Sequence, residues 1–116
     1  MRFYEGMGVP KQFDKAFANF LQSAEAGNGR AMAKVGWMYW FGEGVDSDAK
    51  QGARWFQKGA QLGNAESQFW LSTFYDKGYG NLKKDRDRSI FWLRKAAAQG
   101  YPKAVSTLQA LESAQQ

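Results

Sequence analysis

The chain repeats itself. Gly6 and Gly8 return as Gly42 and Gly44, then as Gly78 and Gly80, a spacing of 36 residues. Phe3 returns as Tyr39 and Tyr75, Phe20 as Phe56, Ala24 as Ala60, and the pair Gly27-Asn28 as Gly63-Asn64. One residue is gained after Gly80, so that Trp55, Lys58, Ala60 and Gly63 match Trp92, Lys95, Ala97 and Gly100 at a spacing of 37. Self-similarity at this period describes a stack of small units, none of which can bury its apolar face alone. A stack offers surfaces more readily than pockets, and that orients the search for function.

Each unit reads as helix, glycine turn, helix, glycine turn. In the second, Ala31, Val35 and Tyr39 form a stripe at helical spacing within an expected helix 30–41. It stops at Gly42-Glu43-Gly44, where glycine tolerates the left-handed backbone of a helix end. Asp48 is placed to cap a second helix, 49–62, which Gly63 closes. The third unit repeats this grammar: helix 66–77 with Ser67, Leu71 and Tyr75, a turn at Gly78-Tyr79-Gly80, and Asp85 capping 86–99 before Gly100. A last helix from Lys103 to about Ala114, with Pro102 at its start, turns Ala104, Leu108 and Leu111 inward. The polar stretch Glu112 to Gln116 suits a terminal cap. The first unit differs, with too few residues before Gly6 for a first helix. Its helix 12–26 carries Phe13, Phe17, Phe20 and Leu21 along one face that nothing in the sequence covers. Either a further helix or further units precede Met1 and cover that edge, or the edge buries itself against a second copy and self-association as a homodimer is expected.

The expected organisation is therefore one all-α domain over residues 1–116. It comprises an incomplete unit 1–28, full units 29–64 and 65–101, and a capping helix 102–116. With 44% hydrophobic and 16% aromatic residues the chain has ample core material. The longest apolar run, 35–41, is far short of the roughly 20 residues that cross a bilayer. No basic start followed by an apolar segment marks a leader. The location expected is cytoplasmic as the sequence stands, and periplasmic or secreted if a targeting segment precedes it.

Missing residue types close off chemistry. Zero cysteines exclude disulfides, thiolate metal sites and a cysteine nucleophile, and zero histidines remove the commonest general base and metal ligand. No pair of carboxylates has the spacing of a catalytic dyad, so no enzyme activity, cofactor or metal is expected. Glu43, Asp46 and Asp48 supply three carboxylates where a calcium loop needs six to eight oxygens, and capping explains them better. The glycine pairs follow helices, not strands, and match no phosphate loop. Much of the net charge of +5 lies in Lys83–Lys95. There Asp85 and Asp87 interrupt the cations and no aromatic alternates with them. A solvated turn with Asp85 as a cap is favoured over a nucleic-acid contact.

The chain resembles the Sel-one-like repeat (SLR) family, a relative of the tetratricopeptide repeat. Ala31, Val35, Gly36, Tyr39, Gly42, Gly44, Val45, Asp48, Trp55, Lys58, Ala60, Gly63 and Asn64 carry the pattern in the second unit. Leu71, Tyr75, Gly78, Gly80, Asp85, Trp92, Lys95, Ala96, Ala97 and Gly100 carry it in the third. Gly6, Gly8, Val9, Lys15, Ala16, Ala24, Gly27 and Asn28 carry it in the first. Departures are Ser72 for the helix glycine, Asn81 for valine, Gly52 and Ser89 for alanine, and Asn19 for tryptophan, with altered packing expected around Ser72. The resemblance implies a right-handed α-superhelix of antiparallel helix pairs, about three units long, whose first helices line a concave groove. It also implies a protein-binding adaptor or scaffold, in a family with many bacterial members. Immunity-type proteins that block a toxin or enzyme are the alternative. A cysteine-rich subgroup linked to β-lactam binding is a poor match, since this chain has no cysteine.

By that resemblance Arg30, Ala33, Trp37, Trp40 and Phe41 face the groove, joined by Glu66, Phe69, Thr73, Asp76 and Lys77 of the next unit. Large aromatic residues serve as binding anchors because they bury much area with little loss of freedom. Trp37, Trp40 and Phe69 are the expected anchors for a partner protein or peptide, with Arg30 and Asp76 setting polarity at the rim. Met38, Trp55, Trp70, Phe74 and Trp92 are assigned to the core.

Overall fold

The computed structural model describes residues 9–114, with side chains from Phe13 onward. Phe3, Gly6 and Gly8 of the first unit, the Val9 side chain and the tail residues Gln115 and Gln116 lie outside the described residues. Six α-helices follow one another: α1 (Val9–Glu25), α2 (Gly29–Phe41), α3 (Ala49–Gln61), α4 (Ala65–Lys77), α5 (Arg86–Ala98) and α6 (Pro102–Ala114). A short 3₁₀ turn, Tyr79–Asn81, joins α4 to the loop before α5. Among the described residues there is no strand. Each helix packs on its neighbours in sequence, and α2 also touches α4.

The helix ends are written in the repeat. Asn28 and Asn64 accept the free amides of Ala31 and Ser67 at 2.9 and 2.8 Å, starting α2 and α4. Asp48 accepts Lys50 and Gln51 at 3.1 and 3.2 Å, and Asp85 accepts Arg88 at 3.0 Å, starting α3 and α5. The aspartate caps were legible in the sequence; the asparagine caps were not. Helix α1 begins at Val9, earlier than the expected Gln12. Pro10 falls in its first turn, where a missing N–H costs nothing. The residue gained after Gly80 is absorbed in the 3₁₀ turn, where Gly80 and Asn81 both hold φ of 64°. Asparagine tolerates that backbone better than most residues.

Three apolar clusters run along the stack. Ala24, Ala31, Met32 and Val35 join α1 to α2. Phe56, Leu71, Phe74 and Tyr75 join α3 to α4. Phe69, Leu93, Ala96 and Ala104 join α4, α5 and α6. Burying Phe56 and Phe74 completely stabilises the middle cluster by about 1.5–3 kcal/mol each.

The phenylalanine face of α1 is not open as expected. Phe17, Phe20 and Leu21 pack against the Ala24–Val35 cluster, and Phe17 meets Tyr39 edge-on at 5.2 Å. Phe13 is likewise half-buried. The reason is the offset of the stack: α2, though it belongs to the next unit, lies across α1 and takes that face. Large apolar side chains that are exposed among the described residues are Phe41, Leu62, Tyr79 and Phe91.

Candidate partner-binding surface

Helices α2, α4 and α6 occupy the same place in successive units and share one side of the stack. A ladder of rings crosses it. Phe41 meets Trp37 at 4.4 Å, Trp37 meets Trp70 at 5.2 Å, Trp70 meets Phe69 at 4.9 Å, and Phe69 meets Tyr101 at 5.5 Å. Trp40 sits below, edge-on to Phe74 at 4.8 Å and to Trp70 at 5.5 Å, with Tyr79 5.8 Å away. The Lys103 ammonium lies 5.2 Å from the Trp70 ring, a cation–π distance. A groove lined by Phe69, Trp70, Pro102, Lys103, Ser106 and Thr107 carries the apolar strip onto α6.

The sequence-predicted residues divide between this face and the interior. Phe41 is 45% exposed, and Trp37 and Trp40 are half-buried. Ala33 is 1% exposed and Phe69 only 9%, so Ala33 does not face a groove and Phe69 cannot serve as an anchor, contrary to expectation. Ala33 is shut in beneath the helices, and Phe69 is consumed by Leu93, Ala96 and Ala104. Thr73 is half-buried, its hydroxyl donating to the Phe69 carbonyl at 3.3 Å. Asp76 is exposed beside Lys77, 3.8 Å from its ammonium. Arg30 is exposed and borders a separate hollow with Phe20, Lys34 and Glu66. Met38 and Phe74 are buried as expected. Trp55 and Trp92 pack half-buried against the first and second clusters.

Trp70 packs against the second and third clusters, in keeping with its core assignment, and its half-buried ring also lies at the centre of the ladder, with its Nε1 enclosed and without a hydrogen-bond partner. A signal for that second place was present: the equivalent positions in the other units are Lys34 and Thr107, both polar and exposed. Burial first, and then the Glu66 charge, raise the Tyr101 phenol above its ordinary value of 10.0. Arg88 of the basic segment pairs with Asp85 at 3.4 Å, and the same carboxylate caps α5. Among the described residues no group of three or more carboxylates is placed to hold a metal ion, and no helix is long and apolar enough to cross a membrane.

The Sel1 repeat model matches residues 1–28, 29–64 and 65–101, three tandem copies covering nearly all of the chain. The chain belongs to the Sel1 repeat family. Repeats of this family are protein-interaction modules built as α-solenoids. This Sel1 repeat chain is 31% identical to a Sel1 repeat protein of Oxalobacter formigenes, with a TM-score of 0.78, covering 83% of this chain and 38% of that one. It is 33% identical to c5321, a protective antigen of uropathogenic Escherichia coli with an SLR fold. There the TM-score is 0.80, over 93% of this chain and 23% of that one. The cysteine-rich protein B of Helicobacter pylori shares the fold at a TM-score of 0.75 and 22% identity, over 80% and 69% of the two chains. Among curated proteins, chitin synthase regulatory factor 3 of Schizosaccharomyces pombe is 30% identical over 99 residues, 84% of this chain and 11% of that protein. The Sel1 repeat chain thus spans about a tenth of that fungal relative.

Proposed function

We propose that this chain is an adaptor that holds a partner protein across the α2–α4–α6 face. Trp37 and Phe41 act as anchors, Trp70 with Lys103 forms the centre, and Arg30 and Asp76 lie at the edges. The observation carrying this reading is the ladder Phe41–Trp37–Trp70, which runs from one repeat to the next with Phe41 45% exposed. Interleaved aromatic and cationic side chains of this kind form the energetic centre of protein interfaces. The family supports a binding role, and the fungal relative's name describes a factor that regulates an enzyme, which an adaptor does by holding proteins together.

The test uses the chain as bait in an extract of its own organism, beside Trp37→Ser with Phe41→Ser. The expected result is a partner retained by the parent chain and lost by the variant, with unchanged helicity. Equal retention by both would sink the proposal. Loss of the captured partner's own activity on binding would convert the adaptor into an inhibitor that uses the same face.

A further inference from the structure

Two of the joints between successive units are built from equivalent positions and filled differently. At the joint between α2, α3 and α4, Gly36 and Gly52 let the helices close together, and the Phe56 ring lies over Gly36. A Cβ on Gly36 would stand 2.8 Å from that ring. Trp40, Trp70 and Phe74 complete the filling. At the joint between α4, α5 and α6 the glycines are replaced by Ser72 and Ser89, and Phe56 by Leu93. Trp40 becomes Asp76, Trp70 becomes Thr107, and Phe74 becomes Leu111. The place that aromatic rings fill in one joint is a cavity of about 210 Å³ in the other.

Its lining is specific. The Ser72 and Ser89 hydroxyls, 4% and 6% exposed, share one hydrogen bond of 3.3 Å at its floor. One bond uses one of their two protons, so the pair keeps a donor and several lone pairs for a guest. Leu93, Ile90 and Leu111 supply apolar walls. Asp76, Lys77 and Arg86 also line it; Asp76 lies 3.8 Å from the Lys77 ammonium, whereas Arg86 makes no ion pair among the described residues. We infer that this cavity is a socket for one aromatic side chain, tryptophan or tyrosine, of a partner segment that carries a carboxylate beside it. The ring takes the place that the chain's own rings take one unit earlier, its N–H or O–H meets the serine pair, and the carboxylate meets Arg86. This rests on the partner-holding role proposed above, but concerns a different joint and different residues.

The experiment titrates N-acetyl-tryptophan, and separately its neutral amide, into the full chain while recording NMR signals of the Ile90, Leu93 and Leu111 methyl groups and of the Trp37 and Phe41 rings. The methyl signals of Ile90, Leu93 and Leu111 are expected to shift, with the acid preferred by about fivefold, the size of one exposed charge contact. Arg86→Gln removes that preference. Thr107→Trp places a ring there from within, as Trp70 does one unit earlier, and abolishes the shifts; Leu111→Phe does the same if that variant fails to fold. Shifts centred on Trp37 and Phe41, undiminished binding in a folded filled variant, or no shift at millimolar probe would overturn the socket. None of these readings uses the partner, so a chain that fails the capture experiment can still pass this one.

Discussion

Ser67 has its hydroxyl enclosed and without a hydrogen-bond partner, at the position where the second unit has Ala31 and α6 has Ala104. It fits because Gly59 lies opposite: a Cβ there would run into the Ser67 hydroxyl and come within 2.8 Å of its Cβ. One unit later the facing pair is Ala96 and Ala104, each smaller than serine and larger than glycine. The sizes are matched within each joint. Ser67→Ala removes an unpaired buried hydroxyl and is expected to raise stability by about 1 kcal/mol, whereas Gly59→Ala is expected to lose about 1–3 kcal/mol. Urea unfolding of the two variants checks both signs, and a stabilised Gly59→Ala would show that the helices move apart freely. The sequence showed that Ser72 departs from the repeat and pointed to altered packing there. It did not show that Ser72 and Ser89 change together, because two positions 17 residues apart meet only once the helices cross.

The glycine turns tie one element to another. Gly80 holds φ of 64°, and a Cβ on it would lie 2.7 Å from the Ala49 carbonyl oxygen and 2.8 Å from the Ala53 Cβ. Gly44 meets the carbonyl of Phe13, the equivalent position on α1. So each second glycine presses on the start of the helix that ends the preceding unit, and the repeat is partly a record of contacts between units. Gly63 also has positive φ, of 91°, but faces open space. Gly63→Ala is expected to cost about 1–2 kcal/mol from backbone strain alone. Gly80→Ala adds the steric term, about 1–3 kcal/mol more. Thermal melts of the two variants, with equal losses as the contrary outcome, decide whether the glycines act between units. At this scale much was legible: α2 to α6 begin and end within a residue of the periodicity's reading, because glycine and aspartate mark their ends. The start of α1 was not, since Pro10 forbids little in a first turn. The burial of Phe17 and Phe20 was also missed, because the covering helix belongs to the next unit.

The whole molecule is long for its size. It measures 52 × 33 × 25 Å with a radius of gyration of 15.2 Å, where a compact chain of this length has about 13 Å. Stability in such a stack is a sum over units and the joints between them, so opening proceeds from the ends. Amides of α3 and α4 around Phe56, Leu71 and Phe74 are expected to exchange with solvent most slowly. Those of α6, where Ala104 alone is fully buried, should exchange much faster. Hydrogen exchange by mass spectrometry reads this directly, and equal protection of α6 and α4 would contradict it. The two joints also differ mechanically. Close-packed rings resist displacement, since small separations forfeit their dispersion contacts, while walls around an empty space have no opposing atoms to lose. The aromatic joint therefore behaves as a weld and the hydroxyl-lined one as a hinge, so a pull along the molecule swings α6 before it disturbs α2 against α4.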